Sequence, residues 1–164
     1  MIKKYLPFIS LLLFFPLTAN AVPAPVAMLP LTIETAIKQF TPPYCQNGLQ
    51  GLGSAVEKCY ENTKDTSVTI DMCVLGDITI AKLLIQDKKA DLSVLDRKPS
   101  EVIADKNIPV SGTESYLNFA SVVKRLQLLG DMPRFYIYNS PQILAYLQQG
   151  ADPVYKGITE GCKK

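Results

Sequence analysis

From residue 32 to the end of the chain, apolar residues recur at intervals of three and four. That spacing gathers side chains onto one side of a helix. Ile33, Ala36, Ile37 and Phe40 form the first such face, and Pro42 and Pro43 are expected to stop that helix. Gly48, Gly51 and Gly53 then read as a loop. Ser54 and Glu57 match a capping box, in which two side chains satisfy the first free amides of a helix. Leu52, Ala55, Val56, Cys59 and Tyr60 turn one side of that helix to a core. A longer helix is expected from about Thr66 to Gln86, with Ile70, Cys73, Val74, Ile78, Ala81, Leu84 and Ile85 as its stripe. Gly76-Asp77 offers a break within it, and the β-branched Ile78 and Ile80 leave a strand over residues 78–85 as an alternative.

Residues 87–112 are polar and contain Pro99 and Pro109. They read as a long connection with at most a short helix near Glu101–Asp105. Ser111 and Glu114 offer a second capping box. A helix then runs to Leu129, with Gly130 as its stop. Its apolar positions (Tyr116, Phe119, Ala120, Val123 and Leu126, flanked by Val122 and Leu129) occupy two sides, as a central helix requires. Arg134 to Tyr138 is either a short strand or the linker to the next helix. Ser140-Pro141 pairs a cap with a proline at the first helical position, for a helix ending at Gly150. Asp152-Pro153 repeats the device for a last helix to about Glu160. The sum is an all-α domain, a compact bundle of five or six helices, over residues 32–164.

The residues before it change the picture. Lys3 and Lys4 precede an apolar stretch from Leu6 to Leu17, and Ala19-Asn20-Ala21 has the small-x-small pattern of a cleavage site. Residues 1–21 therefore read as a secretory signal peptide, too short and wrongly flanked for a membrane span. Residues 22–31, with three prolines among small residues, read as a flexible arm. The expected location is the bacterial periplasm, with the extracellular space as the alternative, and no stable membrane insertion is expected after cleavage.

Export gives the four cysteines their meaning. An even number in an oxidising compartment points to two disulfides. Their spacing lacks the C-x-x-C pairs of a zinc site. Cys59–Cys73 with Cys45–Cys162 is the favoured pairing, because antiparallel helices joined at Asn62–Thr66 bring Cys59 beside Cys73. The second bridge then closes a loop of over a hundred residues, contributing about 4–5 kcal/mol by chain entropy. Cys45–Cys59 with Cys73–Cys162 is the rival.

Composition narrows the function classes. Without Lys3 and Lys4, basic and acidic residues balance at 15 each. A neutral chain lacks the basic surface that nucleic acid or anionic lipid requires, so neither is an expected partner. Histidine is absent, which removes Ser-His-Asp and Cys-His catalysis and the commonest metal ligand; no metal or cofactor is expected. Tryptophan is absent too.

Candidate chemistry is sparse, and no residue is assigned a catalytic role. Ser121 and Lys124 have the S-x-x-K spacing of serine acyltransferases, but the companion motifs are missing and an exposed pair on a helix is the plainer reading. Asp77 interrupts an apolar stripe, which fits a buried carboxyl with a raised pKa serving as a general acid; the plainer reading is a cap for a helix restarting after Gly76. The glycines at 48, 51 and 53 are no phosphate cradle, since no strand precedes them and no P-loop lysine follows. Arg134, Phe135, Tyr136, Tyr138 and Tyr146 form the densest aromatic patch. They are candidate interface residues, set against a role in closing the core.

The leading expectation is a non-enzymatic interaction protein of the bacterial envelope, of inhibitor or immunity type, with another protein as partner. A helical binder of a small apolar ligand is the alternative, and an envelope hydrolase stands third. A deep apolar cavity favours the ligand, exposed tyrosines favour the protein partner, and two carboxylates facing each other in a cleft favour the hydrolase.

Overall fold

A computed structural model describes residues 27–64, 66–136 and 138–163. The expected signal peptide, and the arm up to residue 26, lie outside the described residues. Among the described residues the fold is all-α, with five α-helices and no strand, as the periodicity predicts.

The first helix, α1, spans Pro30–Glu61 and begins two residues before Thr32, with Pro30 in its first turn. The end of the arm is docked, not loose: Met28 is buried and its backbone N–H donates to Gln149 Oε1 at 2.9 Å. Pro42 and Pro43 do not stop the helix. The carbonyls they leave without donors belong to Lys38 and Gln39, which are exposed, so water can take them. The chain turns instead at Asn47 and Gly48. Gly48 adopts φ 57°, ψ −140°, a conformation open to glycine and little else. Beyond the kink the helix resumes through Gly51 and Gly53, so Ser54 lies inside it and caps nothing. Leu52, Val56 and Cys59 are buried as expected, with Ala55 and Tyr60 at the edge of the core.

Helix α2, Ile70–Gln86, runs unbroken through Gly76-Asp77, with no strand at 78–85. Residues 73–80 are all buried, so α2 is enclosed on every side and is the central helix, the place the sequence suggested for the helix before Gly130. Gly76 permits the close approach of α1: a Cβ there would lie 2.5 Å from Val56 Cγ2 and 3.0 Å from the Phe40 ring.

The connection from residue 87 holds a 3-10 turn at Leu92–Asp96 and a short helix α3, Pro99–Ala104. After a 3-10 turn at Thr113–Leu117, helix α4 covers Phe119–Gln127. Its N-cap is Asn118, whose side chain accepts from Ser121 N–H at 3.1 Å, so the Ser111 box is not used. α4 gives way at Leu128 to a 3-10 turn, two residues before Gly130. Another 3-10 turn, Pro133–Phe135, replaces the strand considered for residues 134–138.

The last helix, α5, is a single element, Ser140–Gly161. Asn139, one residue before the expected cap, forms a reciprocal capping box with Gln142. Gly150 does not end the helix and Pro153 does not restart it. The carbonyl that Pro153 leaves free belongs to exposed Gln149, where water can take it, and the helix continues through to Gly161. α1, α2 and α5 pack on one another, and α4 closes the remaining side of α2.

Both disulfides join the expected cysteines. Cys59–Cys73 staples α1 to α2 across a separation of 14 residues, with Cα atoms 5.5 Å apart. Cys45–Cys162 ties α1 to the end of α5 across 117 residues, with Cα atoms 5.2 Å apart.

Candidate functional site

Two buried ionic clusters flank α2. Asp77 is fully buried, and the Arg125 guanidinium on α4 grips it with two bonds, Nε to Oδ2 at 2.8 Å and Nη2 to Oδ1 at 2.7 Å. The Tyr60 hydroxyl donates to Oδ2 at 3.0 Å. Arg125 also donates to the Ser115 hydroxyl at 3.0 Å and lies 4.1 Å from the centre of the Tyr116 ring. Burial pushes the Asp77 carboxyl above its ordinary range, while Arg125 and the Tyr60 bond act against that shift. Asp77 therefore neither caps a helix nor faces a cleft as an acid; its oxygens are engaged inside the protein.

The second cluster forms around Asp71. The Tyr146 hydroxyl donates to Asp71 Oδ2 at 2.5 Å, and Arg134 Nη2 donates to the same oxygen at 2.9 Å. Tyr138 stacks on Tyr146 with ring centres 5.7 Å apart. Burial, then the bond to Asp71, pushes the Tyr146 hydroxyl far up. Asp71 and Asp77 occupy different sides of α2 and have different partners, so they do not face each other across a cleft.

This cluster disperses the aromatic patch. Phe135 is fully buried in the core, and Tyr146 is buried against Asp71. Arg134 is engaged by Asp71 and Tyr146, and Tyr138 is half-buried. Tyr136 alone of the five stands out, 66% exposed.

Ser121 and Lys124 are both buried, contrary to the plain reading of an exposed pair. They do not act on each other. Lys124 Nζ donates to the carbonyls of Asp105 at 2.7 Å and Ile108 at 3.0 Å, tying down the loop after α3. The Ser121 hydroxyl has no partner in the protein. An amine held by two carbonyls is no base for that serine.

The remaining feature is a cavity of about 280 Å³ between α2, α4 and α5. Ile78, Ala81 and Ile85 line it from α2, Phe119, Val123 and Leu126 from α4, and Ile143, Leu144 and Leu147 from α5. Exposed Gly130 and Ser140 stand at its rim. Lys82 contributes its aliphatic stem, while its ammonium turns away to the Asp152 carboxylate and the Tyr155 ring, 5.4 Å from the ring centre. Gln127, the last residue of α4, is a further polar lining residue besides Lys82 and Ser140, and its Oε1 is buried with no protein partner. A wider concavity at the kink of α1 is a bend of the surface, lined by exposed Asn47, Gln50 and Lys58.

Sequence reasoning assigned nothing to this cavity. Ile78, Ala81, Val123 and Leu126 were legible as core positions, but whether a core closes is a property of three helices together. Gln127 ends a helix that also carries Ser121, Lys124 and Arg125, so its polarity gave no signal of the cavity.

No group of three or more potential metal ligands occurs among the described residues, and no helix there is long and apolar enough to cross a membrane. The chain matches no known protein family, no curated protein and no solved structure.

Proposed function

We propose that this protein is an exported helical binder of a small apolar ligand, held between α2, α4 and α5. The observation that carries the reading is the cavity itself. Close-packed interiors hold few voids larger than a water molecule. An apolar cavity of roughly 150 Å³ accepts a benzene ring. At about 280 Å³, this one has room for a larger molecule. The two disulfides support export, since such bonds persist in oxidising compartments. The basic start and small-x-small site support a periplasmic location. The buried ionic clusters fit a structural role, because each carboxylate is engaged by an arginine and a tyrosine.

Filling the cavity tests the reading. Ala81→Leu places a larger side chain among Ile78, Val123 and Leu147. The oxidised protein should take up an environment-sensitive apolar fluorophore and lose that uptake in Ala81→Leu, with the melting temperature retained. Equal uptake by both proteins rejects the site.

A second reading rests on Tyr136. An exposed tyrosine beside Arg134 and half-buried Tyr138 is the kind of residue that anchors a protein partner, as in an inhibitor or immunity protein. On that reading Tyr136→Ala abolishes capture of an envelope protein by the oxidised chain while leaving fluorophore uptake intact. Undiminished capture by Tyr136→Ala removes it.

A further inference from the structure

The geometry points to a ligand that is apolar over most of its surface and carries a single hydrogen-bond donor, a hydroxyl or an amide N–H, seated against Gln127 Oε1. This rests on the ligand-binding reading above and specifies its chemistry.

Three observations converge. First, the Gln127 oxygen is buried, lies on a residue lining the cavity and has no donor in the protein. A buried acceptor without a partner is costly, and native proteins keep few of them. A donor brought by the ligand removes that cost. Second, among the described residues no unpaired cation lines the cavity. The only lysine in its wall has its ammonium on Asp152 and Tyr155, so a carboxylate or phosphate head group would be buried without a counter-charge. Third, the start of α5 offers an anion little. The Gln142 N–H is taken by Asn139 Oδ1 at 3.0 Å, and the Asn139 N–H by Gln142 Oε1 at 2.8 Å. A neutral donor is what remains. Inside the exposed Ser140 at the rim, the rest of the wall asks only for hydrocarbon.

The test compares octanol with heptyl methyl ether, which has the same number of carbons and an oxygen but no donor, and with octanoate. Binding to the oxidised protein is measured by calorimetry, and the site is located from the methyl NMR signals of Ile78, Val123 and Leu147. Octanol should bind more tightly than the ether by about three- to tenfold, the effect of one neutral hydrogen bond. Octanoate should bind most weakly. In Gln127→Met, octanol should fall to the level of the ether. Equal binding of octanol and ether at the pocket methyls overturns the assignment to Gln127 while leaving an apolar site in place, and so does tighter binding of octanoate. Failure of every probe to move those methyls removes the ligand-binding reading itself. The comparison of probes on the unaltered protein decides the matter even where Gln127→Met does not fold.

Discussion

The buried charges on α2 are both paired, and the pairing of Asp77 with Arg125 has a measurable consequence. Arg125 and Asp77 are both out of water, so removing one leaves the other uncompensated. Asp77→Leu or Arg125→Leu alone should cost about 3–5 kcal/mol in denaturant unfolding. The double variant should recover much of that loss, because a well-packed apolar pair often replaces a buried ion pair at no net cost. Additive losses would mean that the two residues do not act as a unit. The sequence made Asp77 visible as a charge on an apolar stripe, but its partner lies 48 residues away on another helix, beyond any local pattern. The buried tyrosines make a second prediction. Burial pushes the Tyr116 hydroxyl from 10.0 to about 12, and Tyr60 and Tyr146 are raised as well. Above pH 10 the unfolded chain therefore loses these protons before the folded protein does. Their stabilising contribution is complete below the unfolded value and is lost as pH rises through the folded one. Tyrosinate absorbance from these residues should appear together with loss of the helical circular dichroism signal. Ionisation of all three in a protein with native dichroism would contradict the burial described.

At the scale of elements, the periodicity of apolar residues located the helices, while helix ends were harder to read. Pro42, Pro43 and Pro153 looked like boundaries and are interior. A proline's effect depends on whether the carbonyl it frees can meet water, and that depends on which side of the finished bundle it faces. Gly48 marks the true turn because the turn demands a positive φ. The glycine of α2 follows from packing: Gly76 lies against Val56 and the Phe40 ring of α1. On an exposed helix, Gly→Ala is stabilising by about 1 kcal/mol. Here the added methyl meets Val56, a stiff and buried side chain, so Gly76→Ala should destabilise by about 1–3 kcal/mol. A rise in melting temperature would show that α1 and α2 are not so close. The pairing of Cys59 with Cys73 was legible for the opposite reason, because neighbouring antiparallel helices fix it locally.

At the scale of the whole molecule, the two disulfides differ in both accessibility and reach. Cys45 and Cys162 are exposed, whereas Cys59 and Cys73 are buried. Under mild reductant and alkylation, Cys45–Cys162 should open first, and peptide mapping should find Cys59–Cys73 intact while the helices remain. Opening the longer loop releases more chain entropy, about 4–5 kcal/mol against about 3 kcal/mol for the shorter one. The resulting species should therefore melt well below the oxidised protein. Prior reduction of Cys59–Cys73 would contradict the packing of α1 on α2. The cavity belongs to this scale too. Its apolar wall residues are ordinary core residues in the sequence, and the space exists only because α2, α4 and α5 leave it between them.

The most direct test of that space is methyl NMR of the oxidised protein during titration with octanol. A ligand site between α2, α4 and α5 predicts saturable shifts at Ile78, Val123, Ile143 and Leu147, with exposed Leu31 and Val68 unmoved. Shifts confined to the exposed residues, or none at saturation, would contradict it.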